Sequence, residues 1–246
     1  MDAGGGQGAV LSVIRTVTET GSTNADLLTL AQAGAIEEGA WLRAERQTTG
    51  RGRQGRAWVS PTGNLSASTA VRLRAGDPPA STLGFVAAVA LDEVARTVAP
   101  SVALQLKWPN DLLIDGAKLS GILLERADDV VVVGIGVNLA HAPDLPDRAT
   151  TSLAAHGVRL EPAAFIELLA QALAGCLSQW REQGFAAVRA RWLGRAHPPG
   201  TPLRALLPDG SVVEGAFEEI DGAGALILRL ADGARRAIHA GDVFLV

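Results

Sequence analysis

The feature that most constrains this chain's fold is residues 130–139, V-V-V-V-G-I-G-V-N-L. Its β-branched residues favour extended backbone, and no polar alternation gives the run a wet face. It reads as a buried central strand. Such a strand needs partners at both edges and cover over its faces. Gly134 and Gly136 interrupt it. A glycine inside a strand marks a place where another group closely approaches the backbone.

The rest of the chain supplies partners and cover. Residues 10–17 read as a first strand, and residues 24–33 as a helix stopped by Gly34. Strands follow at 41–45 and 65–73. Residues 81–98 form a long helix, with Leu83, Val86, Ala90 and Val94 at helical spacing and Pro100 beyond its end. Residues 104–108 are extended. An Asp115-Gly116 turn joins 112–114 to 118–125 as a hairpin. Residues 140–161 are loop-like. Residues 162–183 are an amphipathic helix with Cys176 on its apolar face, which makes it an unreactive core thiol. A shorter helix covers 185–193. From His197 the pattern changes to five short apolar runs separated by Asp-Gly or Gly-Asp pairs, the pattern of a small β-barrel or sandwich. The expected organisation is a disordered tail at 1–8, an α+β unit with a mixed central sheet and flanking helices at 9–196, and a β-domain at 197–246.

Composition narrows the function. The chain has 246 residues, 48% hydrophobic and 20% charged, enough for a sizeable core. Its net charge of −4 argues against non-specific nucleic-acid binding. A single cysteine excludes an internal disulfide and fits a reducing compartment. No apolar run approaches the roughly 20 residues that span a bilayer, and no secretory leader is visible. A cytoplasmic protein without membrane contact is expected. The four histidines, His141, His156, His197 and His239, fall in loops or the tail and read as ordinary surface residues.

Against this acidic background, residues 45–64 stand out: E-R-Q-T-T-G-R-G-R-Q-G-R-A-W-V-S-P-T-G-N. Arg46, Arg51, Arg53 and Arg56 alternate with Gly50, Gly52 and Gly55. Three glycines at about 1 kcal/mol each disfavour helix. What remains is a loop of backbone N–H groups and guanidinium forks, suited to phosphate or carboxylate oxygens. A solvated basic loop or a short nucleic-acid patch fits the same residues.

Four segments share chemical character: Ser22-Thr-Asn24; Gly50-Arg-Gly-Arg-Gln-Gly-Arg-Ala-Trp58; Lys107-Trp-Pro-Asn-Asp111 followed by Lys118-Leu-Ser-Gly-Ile-Leu-Leu-Glu125; and Gly134-Ile-Gly-Val-Asn138. In this order and spacing they resemble the signatures of the biotin protein ligases, the biotin–[acetyl-CoA-carboxylase] ligase family. The resemblance covers nearly the whole chain from Val10. It implies a class II synthetase-like catalytic fold followed by an SH3-like β-barrel. It also implies a two-step reaction: biotin and ATP form biotinyl-5′-AMP, and a lysine of a biotin carboxyl carrier domain then accepts the biotinyl group.

Roles implied by the resemblance follow residue by residue. Ser22, Thr23, Asn24 and Gln47 match contacts to the ureido ring of biotin, although Ser22, Thr23 or Asn24 also suits a helix cap. Gly50, Arg51, Gly52 and Arg53 match the loop that closes over carboxyl and phosphate. Arg56, Trp58 and Asn138 match adenylate contacts, Trp58 by stacking, with a core tryptophan as its plainer reading. Lys118 matches the lysine that contacts both the carboxylate and the phosphate. Gly121 and Gly136 let biotin lie against the strands. Asp111 has two readings, a Mg2+ ligand or a group that orients the incoming amine. ATP, with Mg2+, and a carrier domain of acetyl-CoA carboxylase or a related carboxylase are the expected partners. The loop at 48–58 is expected to be mobile until biotin and ATP order it.

Two departures bear on this resemblance. Many family members carry an aromatic residue shortly after the N-L of the arginine segment, where this chain reads Asn64-Leu-Ser-Ala-Ser68. That changes one wall of the biotin or dimer surface. About twenty residues precede Ser22, whereas a winged helix-turn-helix needs roughly 60. A ligase without repressor function or DNA contact is therefore expected. The sequence leaves monomer and homodimer both open. A lipoate–protein ligase shares the fold but lacks the arginine loop and K-W-P-N-D. A non-enzymatic nucleic-acid binder would use the Arg-Gly loop with Trp58.

Overall fold

The computed structural model describes residues 13–146 and 148–246. The expected tail and the first residues of the expected opening strand lie outside them. The chain begins with β1 (Ile14–Thr20), α1 (Thr23–Gln32), β2 (Trp41–Gln47) and β3 (Leu65–Arg72). It continues through α2 (Leu83–Val98), β4 (Leu104–Lys107), β5 (Asp111–Ile114), β6 (Ala117–Ala127) and β7 (Val130–Val137). These strands form one seven-stranded sheet in the order β1-β2-β3-β7-β6-β5-β4. The β1–β2 pair, joined through α1, is parallel, and the other pairs are antiparallel. The apolar run with its two glycines, β7, is the middle strand.

Alternation along β7 assigns its faces. Val131, Val133, Ile135 and Val137 enter the main core with α2 and the helices that follow. Those helices are α3 (Pro162–Gln183) and α4 (Phe185–Leu193). Val130 and Val132 point the other way, into a second cluster with Leu27 of α1, Ile36, Leu42 and Ala70. Thus α2, α3 and α4 cover one face of the sheet and α1 covers part of the other. α2 is buried nearly all round, as a helix held between a sheet and another helix must be.

Five further strands, β8 (Pro202–Leu206), β9 (Val212–Ile220), β10 (Leu226–Arg229), β11 (Arg235–Ile238) and β12 (Asp242–Leu245), form a separate antiparallel SH3-like sheet in the order β11-β10-β9-β8-β12. It does not hang free. Leu203, Ala205, Phe217 and Val243 belong to the same core cluster as α2. Trp108 Nε1 donates to the Gly224 carbonyl at 3.0 Å, and Arg189 ties α4 to Glu219 and Ile220. No helix among the described residues is long and apolar enough to cross a membrane.

Cys176 is buried on α3. Burial pushes its thiol up to about 11, with Arg191 pulling down and Glu93 adding to the rise. The native protein should resist a thiol-specific alkylating reagent near neutral pH and take up one equivalent per chain in denaturant. Prompt stoichiometric labelling of the folded protein would contradict this placement.

Candidate active site

The site begins where β7 changes side chains on its α1 face. After Val130 and Val132, the next two residues on that face are Gly134 and Gly136. Register extends the bare strip across neighbouring strands. Ser66 of β3, Gly136 and Gly121 of β6 form one row, and Ser68, Gly134 and Leu123 form the next. The vacated space is a cleft of about 330 Å3. Its floor is backbone and small hydroxyls.

One end of the cleft is uncharged and polar. Ser22 caps α1, its Oγ accepting from Ala25 N at 3.5 Å. Thr23 and Asn24 occupy the first turn and are buried, so the helix start delivers all three side chains to the sheet. Asn24 lies on Gly134: a Cβ there would sit 2.3 Å from Asn24 Oδ1. Its amide donates to Glu125 Oε2 at 2.8 Å and accepts from Ser68 Oγ at 2.6 Å. Thr23 Oγ1 is 2.7 Å from Ser68 Oγ, and Gln47 Oε1 accepts from Thr23 N at 2.8 Å.

The other end is cationic. A β-bulge in β6 breaks its alternation with β5 between Leu112 and Leu113. Bulges re-aim side chains, and here Leu119 enters the core while Lys118 turns into the cleft. Lys118 reaches over Gly121 to Asp111 Oδ1 at 2.6 Å, and Lys107 stands 3.6 Å from Asp111 Oδ2. Burial lowers the Lys107 pKa, with Asp111 opposing and Lys118 and Arg148 assisting. Asn138 braces this strand, its Nδ2 donating to the carbonyls of Thr151 at 3.1 Å and Lys118 at 3.5 Å. Asn138 Oδ1 is buried without a hydrogen-bond partner among the described residues.

The arginine segment is a small hairpin rather than featureless loop. Gly52 N donates to Arg56 O at 2.8 Å and Trp58 N to Gly50 O at 2.9 Å, around a 3-10 turn at Arg53–Gly55. Its tip is held by the second sheet. Arg56 makes a forked pair with Asp242, at 2.9 and 2.8 Å, and Arg53 donates to the Gly241 carbonyl at 3.2 Å. Burial raises the Asp242 pKa, but Arg56 first, then Arg53 and Arg148, outweigh it and leave the carboxyl below its ordinary value. This pairing is complete above the ordinary carboxylate range and is lost as pH falls through the lowered value. Among the described residues, Lys107, Lys118, Arg51, Arg53, Arg56 and Arg148 line the cleft with two carboxylates, Asp111 and Asp242. A lining so rich in cations favours an anionic ligand.

A protein-held magnesium does not fit this donor set. Both Asp111 oxygens face lysine ammoniums, and no cluster of three His, Cys, Asp or Glu occurs among the described residues.

Comparison with known proteins decides the family. Residues 17–139 match the Biotin/lipoate A/B protein ligase family, and residues 200–246 match the Biotin protein ligase C terminal domain. The chain is 42% identical to a biotin–[acetyl-CoA-carboxylase] ligase of Paracoccus denitrificans over 240 residues, covering 93% of this chain and 98% of that one. The chain belongs to the biotin protein ligases. A ligase of the same name from Mycobacterium tuberculosis is 38% identical, over 97% of this chain and 91% of its own. The fold matches a biotin protein ligase from Aquifex aeolicus in complex with biotin and ATP, with a TM-score of 0.83 at 22% identity, covering 95% and 99% of the two chains.

In this biotin protein ligase the cleft gathers the expected Ser22, Thr23, Asn24, Gln47, Arg51, Gly52, Arg53, Arg56, Trp58, Asp111, Lys118, Gly121, Gly136 and Asn138. Gly50 is outside the lining. It is glycine because a Cβ would lie 2.6 Å from the Trp58 carbonyl. The close approach expected over Gly134 and Gly136 is present, but the protein's own Asn24 and Trp58 make it. Trp58 Cε2 would be 2.2 Å from a Cβ on Gly136, and Lys118 Nζ stands 5.7 Å from a Trp58 ring centroid. One reading needs correction. His197 is not at the surface: it is 6% exposed, beside Trp192, Leu203 and Phe217 where the chain passes between the two sheets. Burial, then the charge of Lys107, lowers its pKa.

Sequence reasoning missed Ser68, Glu125's contact and Asp242. The departure at Asn64-Leu-Ser-Ala-Ser68 was the available signal for Ser68. Asp242 had none, because Gly241-Asp242 looks like an ordinary turn.

Two predictions follow from this geometry. Gly134→Ala should lower stability to urea by about 1–3 kcal/mol, because Asn24 is held from both sides. Gly136→Ala should cost less, because only the half-buried Trp58 ring must shift; equal costs would contradict the assignment. Asp242→Asn should speed tryptic cleavage within residues 48–58 several-fold, and an unchanged rate would show that the second sheet does not restrain the hairpin.

Proposed function

We propose that this chain is a biotin–[acetyl-CoA-carboxylase] ligase that works through the cleft just described. A biotin carboxylate oxygen attacks the α-phosphorus of ATP, the bond to pyrophosphate breaks, and biotinyl-5′-AMP forms. A carrier-lysine amine then attacks the acyl carbon, AMP leaves, and an amide remains. The observation that carries this reading is one cleft that joins a row of hydroxyls and amides to a cluster of six cations. Biotin has the matching halves, a neutral urea and an anionic carboxylate.

Both steps shift negative charge among phosphate and carboxylate oxygens, so preorganised donors carry most of the catalysis. We assign Lys118 to the reacting carboxylate and α-phosphate, and Arg51 and Arg53 to the same oxygens as the hairpin closes. Arg56, Trp58 and Asn138 form the adenylate side; the open Asn138 Oδ1 supports this by offering an acceptor there. Ser22, Thr23, Asn24 and Gln47 take the ureido ring. Asp111, facing two ammoniums, holds Lys118 in place and stands near the incoming amine. Mg2+ arrives with the phosphates of ATP, not on a dedicated protein site. The acceptor is a biotin carboxyl carrier domain. Residues 9–196 supply the reacting groups, and residues 197–246 steady the hairpin through Asp242.

The family model that matches spans biotin and lipoate ligases, so substrate choice is the sharpest test. Pyrophosphate exchange into ATP should depend on biotin and proceed poorly with lipoate. Arg53→Ala and Lys118→Ala should each reduce it by about 10²–10³-fold, the usual loss of one oxyanion donor. Exchange that persists in both variants, or that lipoate drives equally well, would sink this reading.

A further inference from the structure

The polar end of the cleft has a direction. Asn24, Ser68, Thr23 and Gln47 each carry donors and acceptors, so their row of hydrogen bonds needs something at one end to fix its sense. Glu125 occupies that end. It sits on the cleft face of β6, across from Val132, and lies outside the cleft lining.

A carboxylate accepts hydrogen bonds and donates none. Glu125 Oε2 therefore takes the Asn24 Nδ2 group, 2.8 Å away, and turns Asn24 Oδ1 toward Ser68. Ser68 gives its one hydroxyl proton to that oxygen at 2.6 Å. Its oxygen, left as an acceptor, takes the Thr23 hydroxyl proton across 2.7 Å. Gln47 Oε1 is fixed separately by the Thr23 backbone N–H at 2.8 Å. The Thr23 hydroxyl is also within donating distance of Gln47 Oε1, at 3.1 Å, but its one proton takes the shorter contact to Ser68, which leaves Thr23 Oγ1 and Gln47 Oε1 as acceptors. Both residues line the cleft.

We propose that Glu125 is a positioning residue that sets the hydrogen-bond polarity of the ureido end through Asn24, Ser68 and Thr23. The cleft thereby offers a pair of acceptors to an N–H group. A biotin urea supplies such donors, and the ring of lipoate has none. The proposal rests on the biotin reading and deepens it. Glu125 acts on recognition and not on the transfer of charge at the far end.

Calorimetric titration of the full chain with biotin tests it, paired with exchange kinetics. Glu125→Leu removes the acceptor at similar volume and should weaken biotin about tenfold or more, with kcat at saturating biotin within about twofold. Glu125→Gln retains an acceptor and should stay within about threefold of the unsubstituted protein. Asn24→Asp sets two carboxylates face to face and should weaken biotin strongly. Adding Glu125→Gln to Asn24→Asp supplies a donor to the new carboxylate, leaves an acceptor facing Ser68, and should restore most of the affinity. Unchanged affinity in Glu125→Leu, or a double variant no tighter than Asn24→Asp alone, overturns the proposal. An unsubstituted protein that binds no biotin overturns the site reading beneath it.

Discussion

The site depends on the loss of side chains from half of one face of the central strand. Toward α2, α3 and α4, β7 stays apolar along its whole length and anchors the core. Toward α1, two valines give way to two glycines. The valines pack under α1, while the glycines make room for Asn24 at the start of α1 and for Trp58 of the hairpin to lie directly on the strand. Sheet register then decides what surrounds that room. Serines lie across on β3, Gly121 and Leu123 lie across on β6, and the start of α1 hangs Asn24 above. A valine at 134 would displace Asn24, and one at 136 would displace Trp58, so either would dismantle a wall of the cleft.

Charge then separates the two ends of the cleft. The polar end links its hydroxyls and amides in a row of hydrogen bonds. Among the described residues the cationic end gathers six cations and two carboxylates, and each carboxylate bridges two of the cations. Gathering like charges in a partly buried cleft costs free energy unless anions share the space. Asp111 and Asp242 provide part of that compensation from opposite sheets. This links the domains chemically: the hairpin that carries Arg53 and Arg56 is anchored on β12, more than a hundred residues away in sequence.

Much of this was legible in the sequence. The middle strand, the Asp115-Gly116 hairpin, the long helix at α2 and the run of tail strands follow from period and turn chemistry, and their observed bounds lie close to those expected. Gly134 and Gly136 correctly marked a close approach. The parts that were not legible depend on long-range register. The bulge that turns Lys118 into the cleft leaves no local signature. The burial of His197 depends on how tightly two sheets meet. Glu125 closes the Lys118–Glu125 segment without any sign of its partner, and Asp242 reads as a turn residue; folding brings each beside a side chain far away in the chain.

The central claim is that one cleft holds biotin's urea at one end and an acyl phosphate at the other. Native mass spectrometry of the protein after incubation with biotin and ATP, without any carrier, tests this most directly. The prediction is a single bound biotinyl-5′-AMP per chain, discharged when a carrier domain is added. A protein that retains no adenylate, or retains AMP without biotin, would contradict it.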